Sequence, residues 1–168
     1  KLDTGYEEGE DGNIDSSKSK VLPWFERYLK PYLQLTEYKV DGNTEGKVLA
    51  YFADGSMTMI SSSSFIFYPN AKDYEIIEKD GEINRNKNMS GIKYFTFFFN
   101  PWNNSDANKY HYNKGLEPYK YNWDGTREML LNNVTIGCKQ NVSNERAYCS
   151  TLIQINGWKI PKDYPLRF

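Results

Sequence analysis

The chain has 168 residues, a formal net charge of −1 and 39% hydrophobic residues, which bound it to one domain with a core of ordinary size. Lys and Arg are scattered rather than clustered, which argues against electrostatic capture of nucleic acid or an anionic membrane. Aromatic residues make up 16%, with 14 Tyr against a single His, a balance that suits a secreted β-containing domain or an interaction surface better than a metabolic enzyme.

Residues 1–18 are acidic and Gly-bearing (Glu7-Glu8-Gly9-Glu10-Asp11-Gly12) and lack apolar periodicity, so they read as a flexible arm, with one globular domain over 19–168. Leu22, Phe25, Leu29 and Tyr32 or Leu33 then recur at helical spacing. Ser19 is the expected cap, Pro23 fits the first turn, and Pro31 should end the helix near Tyr28–Lys30. Residues 47–53 and 56–61 flank Asp54-Gly55, predicting a two-residue hairpin; Glu75–Lys79 and Glu82–Asn84 flank Asp80-Gly81 in the same way. Ser61–Ser64 reads as a loop. Ile92–Asn100 alternates as a strand with Phe95, Phe97 and Phe99 on one face, stopped by Pro101. The chain is then loop-rich to about Tyr121, and a short helix fits 126–132 with Asp124 or Thr126 as cap. Residues 144–156 fit strand or helix equally: Thr151, Ile153 and Ile155 favour strand, and Asn156-Gly157 suits a hairpin turn or a helix C-terminus. The expected fold class is α+β, an N-terminal helix packed on an antiparallel sheet of about four strands.

Cys138 and Cys149 are the only cysteines, with ten residues between them. Two readings stand: a disulfide closing a short loop, which needs an oxidising compartment, or two reduced, buried thiols in a cytosolic protein. No run approaches a membrane span and no secretory signal is visible. Lys1 opens the chain without Met, as in a trimmed chain or a mature product. Sequons at Asn88, Asn103, Asn133 and Asn141 carry little weight in so Asn-rich a chain.

Catalytic and metal chemistry is thinly represented. His111, in Tyr110-His111-Tyr112, could pair with Cys149 as base and nucleophile, but no local signature supports it and a disulfide would forbid it. Two Cys and one His do not assemble a tetrahedral metal site, and no Gly-rich phosphate loop appears. Asp106 and Asp124 offer oxygen ligands for calcium without a calcium-loop pattern; turn and cap roles explain them equally. A carboxylate pair for a secreted hydrolase has no specificity among 22 acidic residues. The chain therefore reads as no enzyme, with no metal and no cofactor. Trp102, Tyr110 and Tyr112, in a polar loop, are candidate binding-surface aromatics; Trp158, beside Ile160 and Pro161, is expected in the core.

The C-terminal stretch Ala147-Tyr148-Cys149-Ser150-Thr151-Leu152-Ile153, then Asn156-Gly157-Trp158-Lys159-Ile160-Pro161-Lys162-Asp163-Tyr164-Pro165, resembles the end of bacterial type IV pilin-like and type II secretion pseudopilin proteins. Tyr28–Leu33, Phe52–Ser56, Gly91–Pro101 and Thr126–Leu131 fit the same pattern in the same order. The resemblance implies a pilin-like fold, with a disulfide closing the C-terminal region and a helix after the second cysteine that ends at Asn156-Gly157. It implies Gly157, Trp158, Pro161 and Tyr164 as a structural motif that pins the tail. It implies a structural subunit of a surface or periplasmic filament serving adhesion, motility or secretion. Its partners would be copies or related subunits and an assembly machinery, and it would meet the membrane only through an apolar helix of about twenty residues. That helix, with the family's leader and start, does not occur in this sequence. The alternative expectation is a secreted adhesin or carbohydrate-binding module, with either protein at the cell surface, in the periplasm or outside the cell.

Overall fold

A computed structural model describes residues 21–40, 47–77 and 87–167. The expected arm at 1–18, the Ser19 cap and the Asp80-Gly81 hairpin lie outside them. The chain divides between Lys72 and Asp73 into two compact units. The class is α+β, with six strands among the described residues where about four were expected.

In the first unit, α1 spans Val21–Tyr28. It ends before Pro31, which lacks an N–H and is accommodated in a 3-10 turn at Lys30–Tyr32. The buried face is Val21, Trp24 and Phe25, whereas Tyr32 is 84% exposed. The apolar stripe is therefore rotated and shorter than expected, because Pro31 breaks the helix before Tyr32 can reach it. Trp24 meets Phe65 edge-on and Phe25 lies against Tyr38, so the helix packs on the sheet.

That sheet is an antiparallel meander of β1 (Leu35–Val40), β2 (Val48–Phe52), β3 (Met57–Ser61) and β4 (Ser64–Tyr68). The β2–β3 turn differs from expectation. Tyr51 pairs with Met57 and the Phe52 N–H donates to Ser56 O, leaving Ala53, Asp54 and Gly55 as a three-residue loop. Only Gly55 takes positive φ (85°), whereas a two-residue type I′ turn needs it at both central positions. Asp54 accepts from the Ser56 N–H and hydroxyl, which holds its carboxyl below the ordinary range. The Ser61–Ser64 stretch is not all loop: Ser61 and Ser64 pair, and only Ser62-Ser63 turn, with Ser62 at φ 51°.

Helix α2 (Lys72–Ile77) replaces the start of the strand expected at Glu75–Lys79. Its origin is local, since the Asn70 side chain accepts from the Lys72 N–H, an Asx contact that starts helices and outweighs the β preference of Ile76 and Ile77.

In the second unit, β5 (Phe95–Phe98) is the core of the expected strand. It pairs antiparallel with β6 (Glu117–Pro118), Phe97 opposite Pro118. Two short helices follow, α3 (Arg127–Asn132) and α4 (Cys149–Ile155). Thr126 caps α3 by accepting from the Met129 N–H, and Asp124 holds that cap by accepting from the Thr126 N–H and hydroxyl. The core here gathers Leu130, Cys138, Tyr148, Cys149, Leu152 and Leu166.

Candidate functional site

Cys138 and Cys149 are joined in a disulfide with Cα atoms 4.7 Å apart, so the bonded reading is the one realised. Both are buried. With Cys149 oxidised, no thiolate is left to pair with His111, and the nucleophile reading falls.

Cys149 opens α4, and the helix resolves the ambiguity of residues 144–156. Its β-branched residues do not make a strand because its polar ones have acceptors on the neighbouring ladder. Ser150 donates to Thr96 O at 2.6 Å, Thr151 to Tyr119 O at 2.7 Å, and Tyr148 to Tyr121 O at 2.8 Å. All three donors are buried, where an unmade bond would be costly. Burial and neighbouring groups push the Tyr148 phenol up to about 12.

The helix ends in a Schellman arrangement. The Gly157 N–H donates to Gln154 O, and the Trp158 N–H reaches back to Ile153 O, each at 3.0 Å. Gly157 supplies the left-handed residue at φ 69°, and Trp158 adds a second at φ 60°. This double turn throws the Trp158 ring outward. It is 59% exposed and stacks nearly parallel to Phe97, 7° between planes, which corrects the expected core position. The tail then returns. Pro161 is buried, and Tyr164 donates to Gly91 O at 2.6 Å, with its phenol raised by burial. Leu166 enters the core.

Arg146, which sequence reasoning passed over, is the fastener of this module. It is only 5% exposed, and its guanidinium donates to backbone carbonyls among the described residues. Nε donates to Lys139 O (2.6 Å), Nη2 to Gln140 O (2.7 Å), and Nη1 to Asn88 O (2.7 Å), with longer contacts to Lys87 O and Ser90 O. Nothing in its local sequence distinguishes it from a surface arginine. Its role follows from the disulfide bringing residues 138–140 and 146 round one turn.

The proposed surface aromatics share one loop, in which the Asn113 N–H donates to Pro101 O at 2.9 Å. Trp102 is half-buried edge-on to Phe99, and Tyr110 is half-buried against Trp123 at 4.7 Å. Tyr112 is also half-buried, and no ring contact joins the three. His111 between them is fully buried. Its Nε2 accepts from the Lys120 N–H at 3.0 Å, and its ring meets Phe98 edge-on. Desolvation, then the Lys120 charge, lowers its pKa to about 4. Beside it, Glu117 accepts from Lys120 Nζ at 2.5 Å and from Gln154 at 3.4 Å. This polar cluster holds the loop of residues 101–114 to β6. Asp106 begins a 3-10 turn and Asp124 serves the α3 cap. Among the described residues, no group of three or more His, Cys, Asp or Glu is placed to hold a metal ion, and no helix is long and apolar enough to cross a membrane.

Fold and site together define an α+β protein with a disulfide-closed C-terminal module. Over residues 1–168 the chain matches the model of a family of unknown function, DUF6613, and it belongs to that family. No curated protein and no solved structure matches it.

Proposed function

We propose that the chain is the globular head of a filament subunit of pilin or pseudopilin type, acting by assembly with copies or related subunits at the cell surface or in the periplasm. One observation carries the reading. The stretch that resembles the pilin-like C-terminus, Cys149 to Pro165, folds as one fastened piece: disulfide, helix, Schellman end at Asn156-Gly157, and a tail held by Tyr164. A closed disulfide fits an oxidising compartment. The adhesin alternative has less support, because Trp102 and Tyr110 are half-buried in ring contacts with Phe99 and Trp123 rather than presented as open stacking platforms.

The test is the native N-terminus of the natural protein. About twenty apolar residues ahead of the chain, retained in mature protein that sediments as filaments, is the expected result. A cleaved secretory signal and a freely soluble monomer would overturn the proposal.

A further inference from the structure

Trp158 combines two features that do not explain each other. A bulky residue at φ 60° carries a backbone cost of about 1 kcal/mol or more that Gly would avoid. Such cost is ordinarily offset by burial, yet this ring is 59% exposed. It is nevertheless held: Phe97 stacks against it at 6.5 Å between centroids, and the backbone N–H of Trp158 donates to Ile153 O. Ile155 and Ile160, 45% and 47% exposed, flank it in sequence on the same helix end and tail. Lys159 and Lys162 follow it in the chain and are exposed, and the carboxylate of the exposed Asp163 next to them is paired with Arg127. The result is a held aromatic anchor with exposed apolar and basic residues close to it in the chain, the make-up of an interface centre.

Charge selects the occupant. Residues 1–18 carry six acidic residues against two lysines, with Leu2, Tyr6 and Ile14 among them, and they leave the rest of the chain net positive. We infer that the Trp158 face binds the acidic stretch of residues 1–18 of a second copy of the chain. The inference rests on the filament reading for its geometry. A segment of one copy on a different surface of the next is a heterologous contact, which propagates instead of closing. A short acidic segment on one anchor binds weakly alone, but copies repeated along a filament raise its effective concentration.

The experiment mixes isotope-labelled and unlabelled full chains at high protein concentration and joins carboxylates to amines with a zero-length reagent. Mass spectrometry then reads the cross-links. Mixed-isotope links from Glu7, Glu8, Glu10 or Asp11 to Lys159 or Lys162 are expected, weakened by salt. Trp158→Gly should cut their yield about tenfold or more, the effect of truncating an interface tryptophan. It should keep the thermal stability, since Gly suits the backbone there. Links within one copy only, no links, or links indifferent to Trp158→Gly would each overturn the inference. The native N-terminus judges the filament reading separately, so the two can fail independently.

Discussion

Replacing Arg146 by Met removes a guanidinium from a site built of carbonyls. Three of its bonds are short, to Lys139 O at 2.6 Å and to Asn88 O and Gln140 O at 2.7 Å. Bonds from a charged donor contribute about 1.5–3 kcal/mol each. Part of that sum is offset, because Met carries no charge to desolvate and the carbonyls of exposed Asn88 and Gln140 can regain water. A net loss of about 3 kcal/mol remains, which for a chain of this length lowers the melting temperature by about 6–12 °C. Lys should rescue little of it: one ammonium is a point charge and cannot span carbonyls that the planar fork reaches from both ends. Calorimetry of wild type, Arg146→Met and Arg146→Lys under non-reducing conditions reads all three. A Met variant melting with wild type, or a Lys variant restoring stability, would refute the claim that the fork organises the module.

Cys149→Ser, or reduction, opens a loop with a sequence separation of 11 and should cost about 3 kcal/mol by chain entropy; an unchanged melting temperature of the variant without reductant contradicts this. Gly91→Ala places a Cβ inside contact distance of Cys149 Sγ and 2.9 Å from Leu166 Cδ1 at a backbone φ of 76°, so a loss of about 2–4 kcal/mol is expected from strain and overpacking; a urea midpoint within error of wild type would count against the packing described. His111 titrates near 4 when folded and near 6.5 when unfolded, so the unfolded state binds the extra proton between those values. Stability should be unaffected above pH 6.5 and fall as the pH drops toward 4, by about 3 kcal/mol in all. His111→Gln, which keeps an acceptor for the Lys120 N–H, should flatten that limb; an identical pH profile in the variant would sink the assignment.

What the sequence made legible were features with local causes. Pro31 ends α1, Thr126 caps α3, and Asn156-Gly157 closes a helix once the helix is known. The strands β1 and β4 escape a reading by pattern although Asp41-Gly42 follows one and Pro69-Asn70 the other: Thr36, Glu37 and Lys39 dilute the apolar alternation of β1, and the serines at 61–64 hide a two-residue turn into β4. Helix α2 was misread because Ile76 and Ile77 look like strand, while its start lies in the Asn70 side chain. At the candidate site, the cysteine pair could be named but not its closure. Arg146 and the outward turn of Trp158 were invisible, since each is decided by residues distant in sequence: Lys87 to Ser90 for one, Phe97 for the other.

Those distant partners share an address. Arg146 takes the carbonyls of Lys87, Asn88 and Ser90, and Tyr164 takes that of Gly91. Gly91 in turn lies against Cys149 Sγ and Leu166. The helix, the disulfide loop and the tail therefore all close on residues 87–91, ahead of β5. Each fastening has its own physical dependence. The covalent link answers to redox, the guanidinium fork to burial, and the phenol bond persists while Tyr164, its pKa raised by burial, keeps its proton. Losing one leaves the segment held by the other two, so single lesions should loosen the module before they detach it. Such redundancy keeps one surface, Trp158 included, in a fixed geometry.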